Sequence, residues 1–121
     1  MYATTQAQAP IAIEGDGVEI RLAEVGGGMS AGFVRVPAGA DLRPALVGLR
    51  GDLCQCPHWG YLLKGRVRMH TPTGPLEYGA GDAFYWAPGH APEALEDSEY
   101  VDFSPTDEFT HVLDHIRGGA A

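Results

Sequence analysis

Asp52-Leu53-Cys54-Gln55-Cys56-Pro57-His58-Trp59-Gly60-Tyr61, running on into Leu62-Leu63-Lys64-Gly65-Arg66-Val67, holds both cysteines of the chain and one of its five histidines. Cysteine and histidine are the preferred ligands of zinc and its neighbours in the transition series, and thiolate disfavours magnesium and calcium. On a straight strand, side chains two apart share a face, so Cys54, Cys56 and His58 would point the same way. At about 3.3 Å per residue, however, Cys54 and His58 would lie roughly 13 Å apart, too far for one ion with bonds of about 2.0–2.3 Å. The chain must bend if they act together. Pro57 supplies the bend, because it has no N–H for a sheet ladder and its φ is fixed. The spacing therefore predicts a strand carrying Cys54, a turn through Gln55 to Pro57, and His58 at the start of the next strand. The alternative is that the cysteines are ordinary buried small side chains and the histidine a hydrogen-bonded core residue. A Cys54–Cys56 disulfide is disfavoured because parallel Cβ vectors do not allow its dihedral.

Outward from this stretch, 121 residues suffice for one domain with a single core. Seventeen glycines and nine prolines, with few helix-like stretches, point to short strands joined by turns. A formal charge of -8 without a basic cluster argues against nucleic acid or an anionic membrane as partner. Met1–Pro10 lacks the charged start and apolar run of a signal peptide, and no stretch is long enough to span a bilayer. The expected location is the cytoplasm, where free or metal-bound thiols are the rule.

Residues 1–16 read as an N-terminal arm or a strand swapped onto a neighbouring subunit, and 17–121 as a single domain. Alternation predicts strands at Val18–Leu22, Phe33–Val36, Ala45–Leu49, Trp59–Leu63, Arg66–His70, Leu76–Tyr78, Ala83–Ala87 and Ser98–Phe103. Lys64-Gly65 reads as the turn of a hairpin. Only residues 105–117 read as a helix: Ser104 and Asp107 flank Pro105 at its start, Phe109, Val112, Leu113 and Ile116 form one apolar stripe, and Gly118-Gly119 stops it. His111 and His115 lie four apart on that helix, but no third ligand accompanies them. The expected class is all-β, about ten short strands in a sandwich or barrel of jelly-roll type.

Two stretches together resemble the two signature motifs of the cupin superfamily, small double-stranded β-helix (jelly-roll) barrels. Gly51 and Gly65 frame the first motif, with Tyr61-Leu62-Leu63-Lys64-Gly65 similar to its usual ending. Counted back from Gly65, His58 falls at the family's Glu or Gln, Cys54 at its second histidine and Asp52 at its first. Gly81-Asp82-Ala83-Phe84-Tyr85-Trp86-Ala87-Pro88-Gly89-His90 resembles the second motif; its last histidine falls at Pro92, which cannot ligate, and His90 lies two residues earlier. The resemblance covers roughly residues 30–105 and implies a single-domain cupin holding one ion through Cys54, Cys56, His58 and His90. Two thiolates and two imidazoles favour zinc over iron, nickel or manganese. Asp52 could replace Cys56, or could simply be a turn aspartate.

The resemblance further implies a small-molecule ligand in the barrel, with Trp59, Tyr61, Phe84 and Trp86 as candidate lining and Tyr61 or Tyr85 as a candidate proton donor. Glu93 would reach the site only through a bulge. The functions this implies are a zinc-dependent isomerase, cyclase or lyase, with a non-catalytic ligand-binding or sensor module or an iron-dependent dioxygenase as alternatives. A homodimer is the expected assembly.

Overall fold

Ile11–Gly15 (β1) turns back through Asp16 and Gly17 into Val18–Gly26 (β2), and both turn residues have positive φ, 52° and 81°. That is the two-residue turn that matches strand twist. Part of the predicted N-terminal arm is therefore a strand paired within its own chain. In the computed structural model, which describes residues 1–118, Met29–Val36 (β3) follows. A helical turn comes next, Arg43–Leu46 (α1), where the sequence suggests a strand; Pro44 in its first turn favours the helix start. Then come His58–Lys64 (β4), Arg66–His70 (β5), Leu76–Gly79 (β6), Ala83–Trp86 (β7), Ala91–Ala94 (β8), Ser98–Pro105 (β9) and the helix Thr106–Gly118 (α2). Gly119, half of the predicted helix stop, lies outside the described residues.

The strands form two antiparallel sheets, ordered β1-β2-β3-β9-β4-β7 and β6-β5-β8. This is the expected all-β jelly roll with one C-terminal helix. β4 and β5 are not a hairpin: β4 pairs with β7 and β9, β5 with β6 and β8. Gly65 carries the chain from one sheet to the other at φ 89°, and a Cβ there would strike Ser98 and the Asp97 carbonyl.

Ile20, Val34, Leu62, Val67, Met69, Phe84, Trp86 and Tyr100 fill the space between the sheets. One end of the barrel is closed by α2, whose buried Phe109, Val112 and Leu113 face inward as the apolar stripe predicts. The helix is tied down at its start by the Ser30–Thr106 hydroxyl pair (2.7 Å) and by Thr106 N–H donating to Gly28 O. Near its end, His115 Nε2–H donates to Val47 O (2.8 Å), which accounts for one of the two helix histidines. Among the described residues no helix is long and apolar enough to cross a membrane.

Candidate metal centre

Three of the residues picked out in the sequence meet at the helix-capped end of the barrel. Cys54, in the loop after α1, makes an isolated antiparallel bridge with His90, in the turn between β7 and β8. Its N–H donates to His90 O at 2.8 Å, and its carbonyl accepts from the Gly89 and His90 N–H groups. Gly89, at φ 95°, lets the Pro88-Gly89-His90 turn fold against that segment. Pro57 then redirects the chain, and His58 opens β4 with its ring facing back. The result is Cys54 Sγ 3.6 Å from His58 Nε2, where the straight strand would have put the residues roughly 13 Å apart. Ligand atoms of Cys54, His58 and His90 all lie within 4.8 Å of one another, and all three residues are buried.

These donors suit a transition metal. His90 Nδ1–H donates to Ala87 O (2.6 Å), and because a carbonyl only accepts, its proton sits on Nδ1 and the Nε2 lone pair is free. His58 Nδ1 is 2.6 Å from Ser104 Oγ, with Asp102 Oδ2 3.7 Å away. That arrangement holds the far nitrogen of each imidazole in the way metal-ligating histidines are held. A zinc–sulfur bond of about 2.3 Å and a zinc–nitrogen bond of about 2.0 Å at the tetrahedral angle put S and N about 3.5 Å apart, close to the spacing found here. Burial lowers His58 to about 3, with neighbouring His90 adding to the shift, so the ring is neutral and able to ligate. Burial also lowers His90 and pushes the Cys54 thiol up to about 12. A metal would therefore have to displace the thiol proton on binding.

Cys56, the fourth residue expected in the set, stands apart. Its thiol donates to Pro57 O (3.4 Å) and lines a separate surface cleft with Arg50, Gln55, Asp107, Glu108 and His111. The bend leaves Cys56 outside the three converging ligand atoms, although its thiol also reaches Ser104, the residue that holds His58. Both cysteines are free thiols. Asp52 is an exposed turn residue whose Oδ1 accepts from Gly48 N–H, as the plain turn reading has it. Glu93 is engaged outside the barrel by His70 Nε2 at 2.8 Å.

The aromatic candidates separate by strand parity. Phe84 and Trp86 point inward, stacked at 3.6 Å, and Trp86 lines the cavity. Trp59, Tyr61 and Tyr85 lie exposed on the outer face, so they neither line the site nor donate protons there. The cavity itself is about 40 Å³ and is lined by Cys54, His58, His90, Trp86, Tyr100 and Asp102 on the barrel side. Phe109, Val112, Leu113 and Ile116 of α2 cover it.

Asp102 and Ser104 were not anticipated from the sequence. Within β9 the inward residues are Ser98, Tyr100, Asp102 and Ser104, while Val101 and Phe103 face out. Asp102 is 2% exposed, and burial pushes its carboxyl up to about 8. Gly32 and Gly60 flank it on β3 and β4. A Cβ on Gly32 would strike the Asp102 carboxyl, and one on Gly60 would strike the Val101 carbonyl and the Phe84 ring. Trp86 Nε1 is buried without a hydrogen-bond partner, an arrangement that typically costs about 1–3 kcal/mol, while the Asp102 carboxyl lies against the Gly32 backbone, whose N–H favours its ionised form. An acid on a strand whose neighbours are apolar was the available signal, but alternation alone assigns it to solvent.

No protein-family model matches the sequence, and no curated protein does. Solved structures do match. KdgF from Halomonas sp. aligns at 24% identity over 84% of this chain and 90% of its own, with a TM-score of 0.61. An RmlC-like cupin from Shewanella frigidimarina aligns at 16% identity over 88% and 93%, with a TM-score of 0.62. Oxalate decarboxylase from Lactobacillus farciminis aligns at 17% identity and TM-score 0.65, over 87% of this chain but only 32% of its own. The chain has the cupin fold.

Proposed function

We propose that this protein binds one zinc-like ion through Cys54, His58 and His90, and that the fourth position faces the barrel cavity and takes a small oxygen-bearing molecule. The reading rests on one observation: donors from three separate segments converge within 4.8 Å, beside a cavity, with each histidine's outer nitrogen already engaged. Three protein ligands with one position left over is the arrangement of catalytic rather than structural zinc. Zinc bound here would act as a Lewis acid, polarising a carbonyl or lowering the pKa of a bound water towards about 7. The chain's part is to hold the imidazoles in register through Ser104 and Ala87, and to exclude bulk water through α2. Isomerase, cyclase or lyase chemistry fits such a centre better than oxygen insertion, which calls for neutral nitrogen and oxygen donors around iron.

A second reading, a non-catalytic sensor or binding module with a closed metal site, is favoured by the small cavity. Metal analysis of purified protein decides between them. We expect about one zinc per chain, lost in Cys54→Ser and kept in Cys56→Ser. Equal loss from both variants supports the closed site. Iron in the wild type would favour an oxygenase, copper with an intense visible absorption an electron-transfer site, and no metal at all would overturn both readings.

A further inference from the structure

The outer face of the six-stranded sheet carries an apolar patch that the barrel itself does not cover. Tyr85 on β7, Trp59 on β4, Phe103 on β9 and Ala31 on β3 lie in register across four strands. Two residues along the same face, Ala83, Tyr61, Val101 and Phe33 make a second row. Neither row holds a charged residue, although the chain as a whole carries a formal charge of -8. Trp59 and Tyr85 stack with ring centroids 5.1 Å apart, so these rings are ordered before anything docks on them and have little side-chain freedom left to lose. Charges begin at the margin of the patch, and there both signs occur. Arg21 is the ladder partner of Phe33, Lys64 that of Glu99, and Arg35 forms a 2.8 Å ion pair with Glu99.

We infer that this face is where a second copy of the chain docks, sheet against sheet across a two-fold axis. Area is the first argument. Trp59, Tyr61, Tyr85 and Phe103 are 43–53% exposed, which leaves about 100 Å² of each aromatic side chain in water. With the half-buried Phe33 and Val101 beside them, each copy offers about 500 Å² and a pair buries about 1,000 Å², the lower bound for a specific interface. Charge is the second argument. An acidic chain repels its own copy over most of its surface, and an uncharged patch is where two copies meet without that repulsion. In a two-fold contact each margin faces one of the same composition, so a margin carrying Arg35, Lys64 and Glu99 together complements itself. Nucleic acid or an anionic membrane would call for a basic margin instead. The inference is independent of the metal reading, since no residue of the patch is a candidate ligand.

The test is sedimentation equilibrium of the whole chain, with tryptophan emission followed on dilution. The wild type should dimerise with a Kd of about 10 µM or tighter. On dilution its emission should move to the red as Trp59 meets water, because Trp86 is buried within each copy and reports no change. Trp59→Lys and Phe103→Lys each set a charge against its own copy and should raise the Kd by about 30-fold or more, the scale of a central aromatic anchor. Thermal melts establish that both variants are folded; should either fail to fold, the other variant and the wild-type dilution series decide the matter. Both positions lie on interior strands of the sheet, so a dimer made by pairing at the β1 or β7 edge would survive them. A wild type that stays monomeric well above that concentration overturns the inference, and so does a dimer that persists in both variants.

Discussion

Gly60 shows how one missing side chain shapes the site. It sits between Asp102 on β9 and Phe84 on β7, and a Cβ there would press on the Val101 carbonyl oxygen and the Phe84 ring. Neither can swing away, because the one is sheet backbone and the other is stacked on Trp86. Gly79 makes the contrast: its Cβ would meet only the far end of the Arg66 side chain, at 3.0 Å. Gly60→Ala should therefore cost about 1–3 kcal/mol in urea denaturation, and Gly79→Ala close to nothing. Equal losses would mean that the close approach at Gly60 carries no weight. The same residue-level logic divides the cysteines, since the polypeptide direction changes at Pro57 and two side chains that an extended strand would align end up in different cavities.

At the scale of an element, α2 is the part that turns an open barrel into an enclosed site. Its residues Phe109, Val112 and Leu113 are at most 5% exposed, and the Phe109 ring packs edge-on against His58, centroids 4.9 Å apart. Replacing Phe109 with Ala removes the part of the cover nearest the candidate ligands without touching one. With zinc bound as proposed, Phe109→Ala should keep about one zinc per chain yet release it to a chelator faster by about tenfold or more, because local opening limits the exit of an enclosed ion. An unchanged release rate would show that the helix is not the gate. A large-to-small change at a buried aromatic also destabilises, by about 3–5 kcal/mol, so the comparison should be made well below the melting temperature. Leu62→Ala, a fully buried residue away from this cavity, serves as a control for that destabilisation.

For the molecule as a whole, the barrel interior sets how stability responds to alkali. Tyr100 packs against Trp86 at 5.1 Å and is buried, and burial raises its phenol above the ordinary value, with nearby Asp102 and Cys54 adding to the shift. Below about pH 10 the phenol is neutral in both folded and unfolded chains, so its contribution is complete. Above that, the unfolded chain releases the proton while the folded one holds it, and stability falls by about 1.4 kcal/mol per pH unit. Cys54 and Cys56, both raised by burial, act in the same direction. Tyr100→Phe removes one of these contributions and leaves the thiols. Denaturation of metal-free protein at pH 9.5 and 11 should show the wild type losing about 1.4 kcal/mol more than the variant; parallel losses would mean that the phenol is not shielded.

Most of the fold and part of the site were legible in the residues themselves. The turn glycines and prolines, the alternation in β5, β6 and β7, and the stripe on the C-terminal helix are local properties, so a jelly roll with one helix could be read without coordinates. Cys54 and His58 could be singled out because such donors are rare here and cluster beside a proline bend, and His90 through the resemblance of its Pro-Gly turn to the second cupin motif. Pairing partners could not, because hydrogen bonding between distant strands leaves no trace in either strand alone: β4 and β5 look like a hairpin and belong to different sheets. Nor could Asp102, since alternation assigns a face only on the assumption that apolar side chains go inside. In β9 the assignment is reversed, with Phe103 turned to solvent and an acid turned inward, and only the packing of four strands and a helix around that acid decides it.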